Sequence, residues 1–213
     1  VLGMMLYSTT DGNVYAIIQP QGSAAYDSLI YTSGDHSVQY LQGMVVYDST
    51  LYVSGNNNSN TLLTTGLIVR GKIQSNGMRI WDTLMITEPY ETGDYFDHLF
   101  SGLTISPTGD SLYICSGARG DHGEIQDRYG AYPGIRNVPL TSNLYVLPAH
   151  EASAILLEND SVWNDTSVYL FARGIRNTFS MAFDASGNLF GVENSGDRDH
   201  NEEMNWLQKG KHY

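Results

Sequence analysis

A single cysteine, Cys115, among 213 residues rules out an internal disulfide, so packing and hydrogen bonding must hold the chain together. Cationic residues are scarce as well: 11 Lys and Arg stand against 23 Asp and Glu, a formal charge of -12. That sign excludes a chain-wide attraction to nucleic acid or to an anionic membrane surface. No run approaches the roughly 18 apolar residues of a membrane-spanning helix. The first residues, Val1 to Leu6, have neither the basic start nor the long apolar stretch of a signal peptide. Val1 in place of an initiator Met leaves room for a removed leader or a missing N-terminal part. Charged residues make up 16% of the chain, below the roughly 25% usual for soluble domains. In their place stand 22 Gly and 15 Tyr, a mixture that favours strands and turns.

Most of the sequence reads as short β-runs closed by Gly, Asn, Asp and Ser, which makes it all-β. Three segments repeat one another, from Gly43 to Gly55, from Gly102 to Gly117 and from Ser180 to Gly196. In each, an apolar strand meets a polar turn and a second strand led by Leu-Tyr or Leu-Phe, the pattern of a β-hairpin. Asp11-Gly12-Asn13-Val14-Tyr15 reads as the tail of an earlier copy. The closing glycines lie 62 and 79 residues apart, somewhat more than the roughly 40–50 residues of a propeller blade, so a β-propeller with long inserted loops is expected. A β-sandwich is the alternative, but it does not require one hairpin to recur. Ala118 to Pro139 lacks periodicity and reads as a long functional loop. Glu202 to Gln208 is the best candidate for a short helix, with Asp199 and Asn201 as caps. Alternation in Leu112 to Ser116 puts Tyr113 and Cys115 on one face and Leu112 and Ile114 on the other, so Cys115 is expected to be a buried free thiol. Sequons at Asn57, Asn159 and Asn164 hint at secretion.

Three constellations could carry chemistry. Asp97-His98 precedes the second hairpin, and a carboxylate beside an imidazole can orient the ring for general-base work. Arg173-Gly-Ile-Arg176-Asn177 precedes the third, and a guanidinium next to a carboxamide suits a carboxylate or a quinone oxygen. Glu193 to Glu203 is dense in oxygen ligands and points to Ca²⁺, held by backbone carbonyls near Gly196. An EF-hand fails there, since Glu202 and Gln208 fall where that loop needs Gly and Glu. A zinc site from His122, Glu124 or His200 has no recognised spacing.

Taken together, Asp97-His98, Ser101-Gly-Leu103, Ser106-Pro-Thr-Gly109 and Ser116-Gly-Ala-Arg-Gly-Asp121-His-Gly-Glu124 resemble the quinoprotein sugar dehydrogenases of the glucose/sorbosone dehydrogenase family. So do Arg173 to Phe190, Glu193-Asn-Ser-Gly196-Asp-Arg-Asp, Glu202-Glu-Met-Asn-Trp206 and Gly210-Lys-His-Tyr213. The resemblance runs from Asp97 to Tyr213, while residues 1–96 match only as generic propeller strands.

The resemblance implies a six-bladed propeller that binds pyrroloquinoline quinone (PQQ) and Ca²⁺, of which residues 1–213 would form three to four blades. It places the catalytic base at His98 and its orienting carboxylate at Asp97. Arg176 and Asn177 would grip the quinone, Arg176 also taking a catalytic part, with Asn194 adding a cofactor contact. Calcium would sit on carbonyls at Gly196 and Asp197. Where the family continues its Arg-Asn pair with Pro, this chain has Thr178 and Phe179. The implied function is oxidation of a sugar or related alcohol, with an external electron acceptor, in the periplasm or outside the cell. The competing expectation is a non-catalytic propeller that binds a glycan or a protein.

Overall fold

The computed structural model describes residues 5–19, 24–58, 62–93, 98–194, 196 and 201–213. Four sheets are present among them. The first contains β1 (Met5–Ser8), β2 (Val14–Ile18) and β3 (Tyr26–Tyr31). After α1 (Ser33–His36), the second is built from β4 (Tyr40–Tyr47), β5 (Thr50–Asn58), β6 (Leu63–Ile73) and β7 (Arg79–Thr87), with the short β8 (Tyr90–Glu91) beside β6. The third starts with β9 (Phe100–Ile105), β10 (Ser111–Ser116) and β11 (Asn143–Pro148). The chain then returns to the second sheet as β12 (Ile155–Leu157), parallel to β7, before α2 (Ser161–Thr166) and β13 (Leu170–Arg173) complete the third. The last sheet is β14 (Thr178–Phe183), β15 (Leu189–Glu193) and β16 (Glu203–Leu207).

The repeated segments of the sequence are the hairpins β4–β5, β9–β10 and β14–β15, and the Asp11-Gly12-Asn13 turn joins β1 to β2. Gly109 and Gly187 take left-handed backbone in the later turns, and Asp48 does so in the first. The sheets stack with a separate apolar layer at each interface. Val14, Leu41, Leu51 and Val69 fill the space between the first two. Ile68, Met85, Phe100, Leu112, Ile114 and Tyr145 fill the second space, and Cys115, Leu144, Ala172, Leu189 and Leu207 the third. The opposite faces of β10 are therefore divided as alternation requires, Leu112 and Ile114 one way and Cys115 the other.

Glu202 to Gln208 does not form the expected helix. It contributes the strand β16, paired with β15 from Leu189↔Leu207 to Glu193↔Glu203. Seven residues carry too little periodicity to separate a helix from a strand, and the open edge of β15 settles it by offering a ladder of hydrogen bonds. Both terminal sheets leave an apolar face in solvent: Met5 and Leu29 on the first, Val192, Met204 and Trp206 on the last.

The first strands of successive sheets converge through glycines. A Cβ on Gly43 in β4 would lie 2.6 Å from the Ser101 carbonyl oxygen, and one on Gly102 in β9 would lie 2.7 Å from that of Thr178. Side chains at these positions would push β4, β9 and β14 apart. Gly102→Ala should lower stability by roughly 1–3 kcal/mol in chemical denaturation, whereas Gly34→Ala, whose added carbon meets nothing nearer than 3.4 Å on exposed α1, should be neutral or slightly stabilising. Equal midpoints for the two variants would refute this close approach.

His36 locks α1 to the first turn. Its Nε2 donates to the Gly12 carbonyl at 2.9 Å, and its Nδ1 accepts from the Val38 N–H at 3.2 Å, so the buried ring is neutral with both nitrogens in use. Burial pushes its pKa below the ordinary histidine value. The unfolded chain takes up this proton near pH 6.5 and the folded one resists, so stability is full above about 6.5 and declines as pH falls below it. The thermal midpoint should drop between about pH 7.5 and 5.5, and His36→Gln should flatten that slope. An unchanged slope in the variant would exclude His36 as the cause.

Candidate functional site

The peptide Gly117-Ala118, just past β10, joins the segments before the second and third hairpins. The His98 N–H donates to the Ala118 carbonyl at 3.0 Å, and the Ala118 N–H donates to the Arg176 carbonyl at 2.8 Å. Gly117 makes this possible, since a Cβ there would lie 2.4 Å from the His98 Cβ and 2.7 Å from the Arg176 oxygen. His98 and Arg176, 78 positions apart in the chain, thus flank one peptide. The His98 Nδ1 also sits 3.1 Å from the Ala118 carbonyl. A carbonyl only accepts, so Nδ1 carries a proton and donates it there.

Arg176 is held by carboxylates and carbonyls. Its Nη2 pairs with Asp121 Oδ1, its Nε donates to the Asp121 carbonyl at 2.9 Å and its Nη1 to the Asn194 carbonyl at 2.5 Å. The second oxygen of the buried Asp121 lies 3.0 Å from His122 Nδ1. Glu193, at the end of β15, receives the N–H groups of Arg176 and Asn177 on one oxygen and the Thr178 hydroxyl on the other. This carboxylate fixes the turn that presents Arg176. The Asn177 carbonyl accepts from the Asn194 N–H at 3.3 Å.

These groups surround a cavity of about 270 Å³ whose lining includes Asp121, His122, Arg176, Glu193, Asn194 and Gly196. Glu203 adds a third carboxylate. Arg176 is the one fixed cation among its described lining residues.

The loop from Ala118 to Pro139 contains no helix or strand, as expected, yet it is tightly anchored. Arg119 is fully buried and donates to four carbonyls: Glu91 at 2.9 Å, Thr92 at 2.6 Å, Gln126 at 2.9 Å and Ile135 at 3.2 Å. Glu124 accepts from the N–H groups of Asp121 and His122, so it shapes the loop that carries them. Burial works to raise the Glu124 carboxyl, but the His122 N–H, the N–H of Glu124 itself, the Gln126 amide and the neighbouring His122 together hold it below the ordinary value.

The structure thus brings Arg176, Asn177, Asn194 and Gly196 together, with His98 across Gly117-Ala118. Asp97, Asp197 and His200 lie outside the described residues. No group of three or more His, Cys, Asp or Glu is placed to hold a metal among the described residues, which include His122 and Glu124. Sequence reasoning missed Asp121 as the counter-ion of Arg176 and Glu193 as the brace of its turn. Both stood in segments rich in acidic residues, but their partners lie 55 and 17 positions away.

Cys115 is buried and its thiol is pushed up to about 12 by burial, with the Glu193 charge adding to the effect, so it is unreactive. The sequons are committed to the fold. Asn57 Nδ2 donates to the Ser37 carbonyl, Asn159 Nδ2 to Glu91, and Asn164 is buried on α2.

No protein-family model and no curated protein matches the sequence. Solved structures do match. A glucose dehydrogenase superposes with a TM-score of 0.63 at 18% identity, covering 99% of this chain and 64% of that one. The PQQ-bound aldose sugar dehydrogenase of Streptomyces coelicolor gives 0.61 at 19% identity, covering 99% and 58%. The soluble aldose sugar dehydrogenase of Escherichia coli, in its apo form, gives 0.61 at 17% identity, covering 98% and 58%. The chain therefore shares its fold with sugar dehydrogenases while spanning 58–64% of the length of these three.

The Arg176–Asp121 pair is the electrostatic hinge of the cavity. Asp121→Asn leaves the guanidinium facing a neutral amide in a largely buried site and should reduce stability by roughly 1–3 kcal/mol. Asp165→Asn, which removes the partner of Arg173 at an exposed position, should change it by no more than about 1 kcal/mol. Denaturant midpoints of the two variants measure the difference, and equal losses would place Asp121 among ordinary surface pairs.

Proposed function

We propose that this chain is part of a β-propeller quinoprotein that oxidises a sugar or related alcohol using PQQ and Ca²⁺. The observation that supports it most is the convergence of the His98 and Arg176 segments on Gly117-Ala118, which brings an imidazole-bearing residue next to the segment whose guanidinium lines the cavity. Stacked sheets whose first strands pack together through Gly43 and Gly102 fit blades of such a ring. The likeness to PQQ-bound and apo sugar dehydrogenases supports the same reading.

The cavity's donor set fits the quinone and metal end of that cofactor. Arg176 and the Asn194 carboxamide in the lining suit a quinone oxygen, with Asn177 proposed to join them, and carbonyls near Gly196, with the proposed Asp197, suit a hard cation. Three carboxylates in the lining would repel an anionic cofactor, so charge balance here favours a divalent cation beside it. When bound, PQQ would supply the acceptor of the two electrons taken from the substrate carbon. His98 takes the hydroxyl proton on Nε2 while its Nδ1–H stays on the Ala118 carbonyl, which keeps the ring in the required tautomer. Asp97 is proposed to stabilise the resulting imidazolium. Arg176, held in place by Asp121, offers positive charge where negative charge develops.

One observation favours a second reading. All three guanidinium nitrogens of Arg176 already have protein acceptors. A propeller that binds a glycan or protein without catalysis would need no release of that group.

The test is reconstitution of the protein with PQQ and Ca²⁺, followed by cofactor binding and by reduction of an artificial dye with aldoses and sugar alcohols. His98→Ala should reduce turnover by about 10²–10⁴-fold while PQQ still binds. If the wild type binds no PQQ and oxidises nothing across a broad sugar panel, the binding-module reading stands instead.

A further inference from the structure

A second cavity, of about 410 Å³, shares only Gly174 with the described lining of the first. It falls within the roughly 300–1,000 Å³ of small-molecule sites. Two side chains in its wall are amides that the fold has buried: Asn143 on β11 is 3% exposed and Asn164 on α2 is 6% exposed. Each is half used. Asn143 Nδ2 donates to the Pro139 carbonyl at 2.8 Å and to the Tyr145 hydroxyl at 3.0 Å, and that hydroxyl donates to Asn164 Oδ1 at 2.9 Å. A phenol has one proton, so the chain runs in one direction and sets both amide orientations. Burial raises the Tyr145 pKa, which keeps that proton in place at neutral pH.

What remains is one acceptor, Asn143 Oδ1, and one donor, Asn164 Nδ2, neither with a protein partner among the described residues. Both atoms remain within reach of solvent, so a molecule entering the cavity can meet them, and a donor with an acceptor in one wall suits a ligand that both donates and accepts. Hydroxyl groups do both. Charge does not choose an ion, because Arg173 and Asp165 in the same wall pair with each other at 2.5 Å. A single water, whose share of liquid volume is about 30 Å³, would leave most of the space unused.

We propose that this cavity is a binding site for a neutral polyhydroxylated molecule, a sugar or polyol, held by one hydroxyl donating to Asn143 Oδ1 and another accepting from Asn164 Nδ2. The site is separate from the cavity containing Arg176 and does not rest on the dehydrogenase reading. It also gives the Asn164 sequon a different meaning: the amide faces a cavity of the folded protein instead of carrying a glycan.

The protein is titrated with D-glucose, D-xylose and mannitol, and with acetamide as a planar amide control, while the side-chain NH₂ signals are followed by ¹⁵N NMR. The Asn164 signals should shift saturably with at least one of the three polyols and stay still with acetamide. Asn164→Asp keeps the acceptor for Tyr145 and removes the donor, and should weaken that binding by about tenfold or more. Should this variant fail to fold, the wild-type signals decide alone. No saturable shift with any polyol, a shift with acetamide only, or unchanged affinity in a folded Asn164→Asp protein would each overturn the proposal.

Discussion

The arrangement depends on how closely the first strands of successive sheets approach one another. Gly43, Gly102 and Gly117 have no side chain where β4 meets β9, where β9 meets β14, and where the His98 and Arg176 segments meet. Apolar layers between sheets tolerate small shifts, because side chains can repack. Backbone oxygens less than 3 Å from a would-be Cβ cannot give way. These contacts therefore set the angle between sheets and, through Gly117, the separation of the two chemical groups in the candidate site.

A chain with few cations uses them with economy. Arg119 is spent on carbonyls, Arg70 is buried against Asp82 and the Ala149 carbonyl, and Arg176 is gripped by Asp121. Each guanidinium, with several fixed donors, joins segments distant in sequence. The large excess of acidic residues then lies mostly in turns and on the surface, where it is solvated, while Asp121 and Glu193 are the exceptions that shape the cavity.

The sequence made the hairpins legible because each turn carries its own signal: glycines at positions that need left-handed backbone, with alternation on either side. His98 and Arg176 stand out in the sequence as candidates for the same local reason, each standing just before a hairpin. β16 was misread because Glu202 to Gln208 is short and polar, and its partner strand, not its own pattern, decides its conformation. The roles of Arg119, Asp121 and Glu193 were hidden because they depend on carbonyls and N–H groups that only the folded chain brings near. The Asn143–Tyr145–Asn164 relay was invisible for a similar reason, since the two asparagines read simply as a strand residue and a sequon.

Arg119 gives the long loop after β10 an unusual standing. Its guanidinium fastens Gln126 and Ile135 to Glu91 and Thr92, while Asp121, two residues on, fastens the same loop to Arg176 ahead of the last sheet. The loop is thus a strap from the second sheet to the fourth, passing over the third. Without a ladder of its own it has the backbone of a flexible segment and the anchorage of a core element. Anchorage at both ends is the arrangement expected of a segment whose amides open together with the strands it ties.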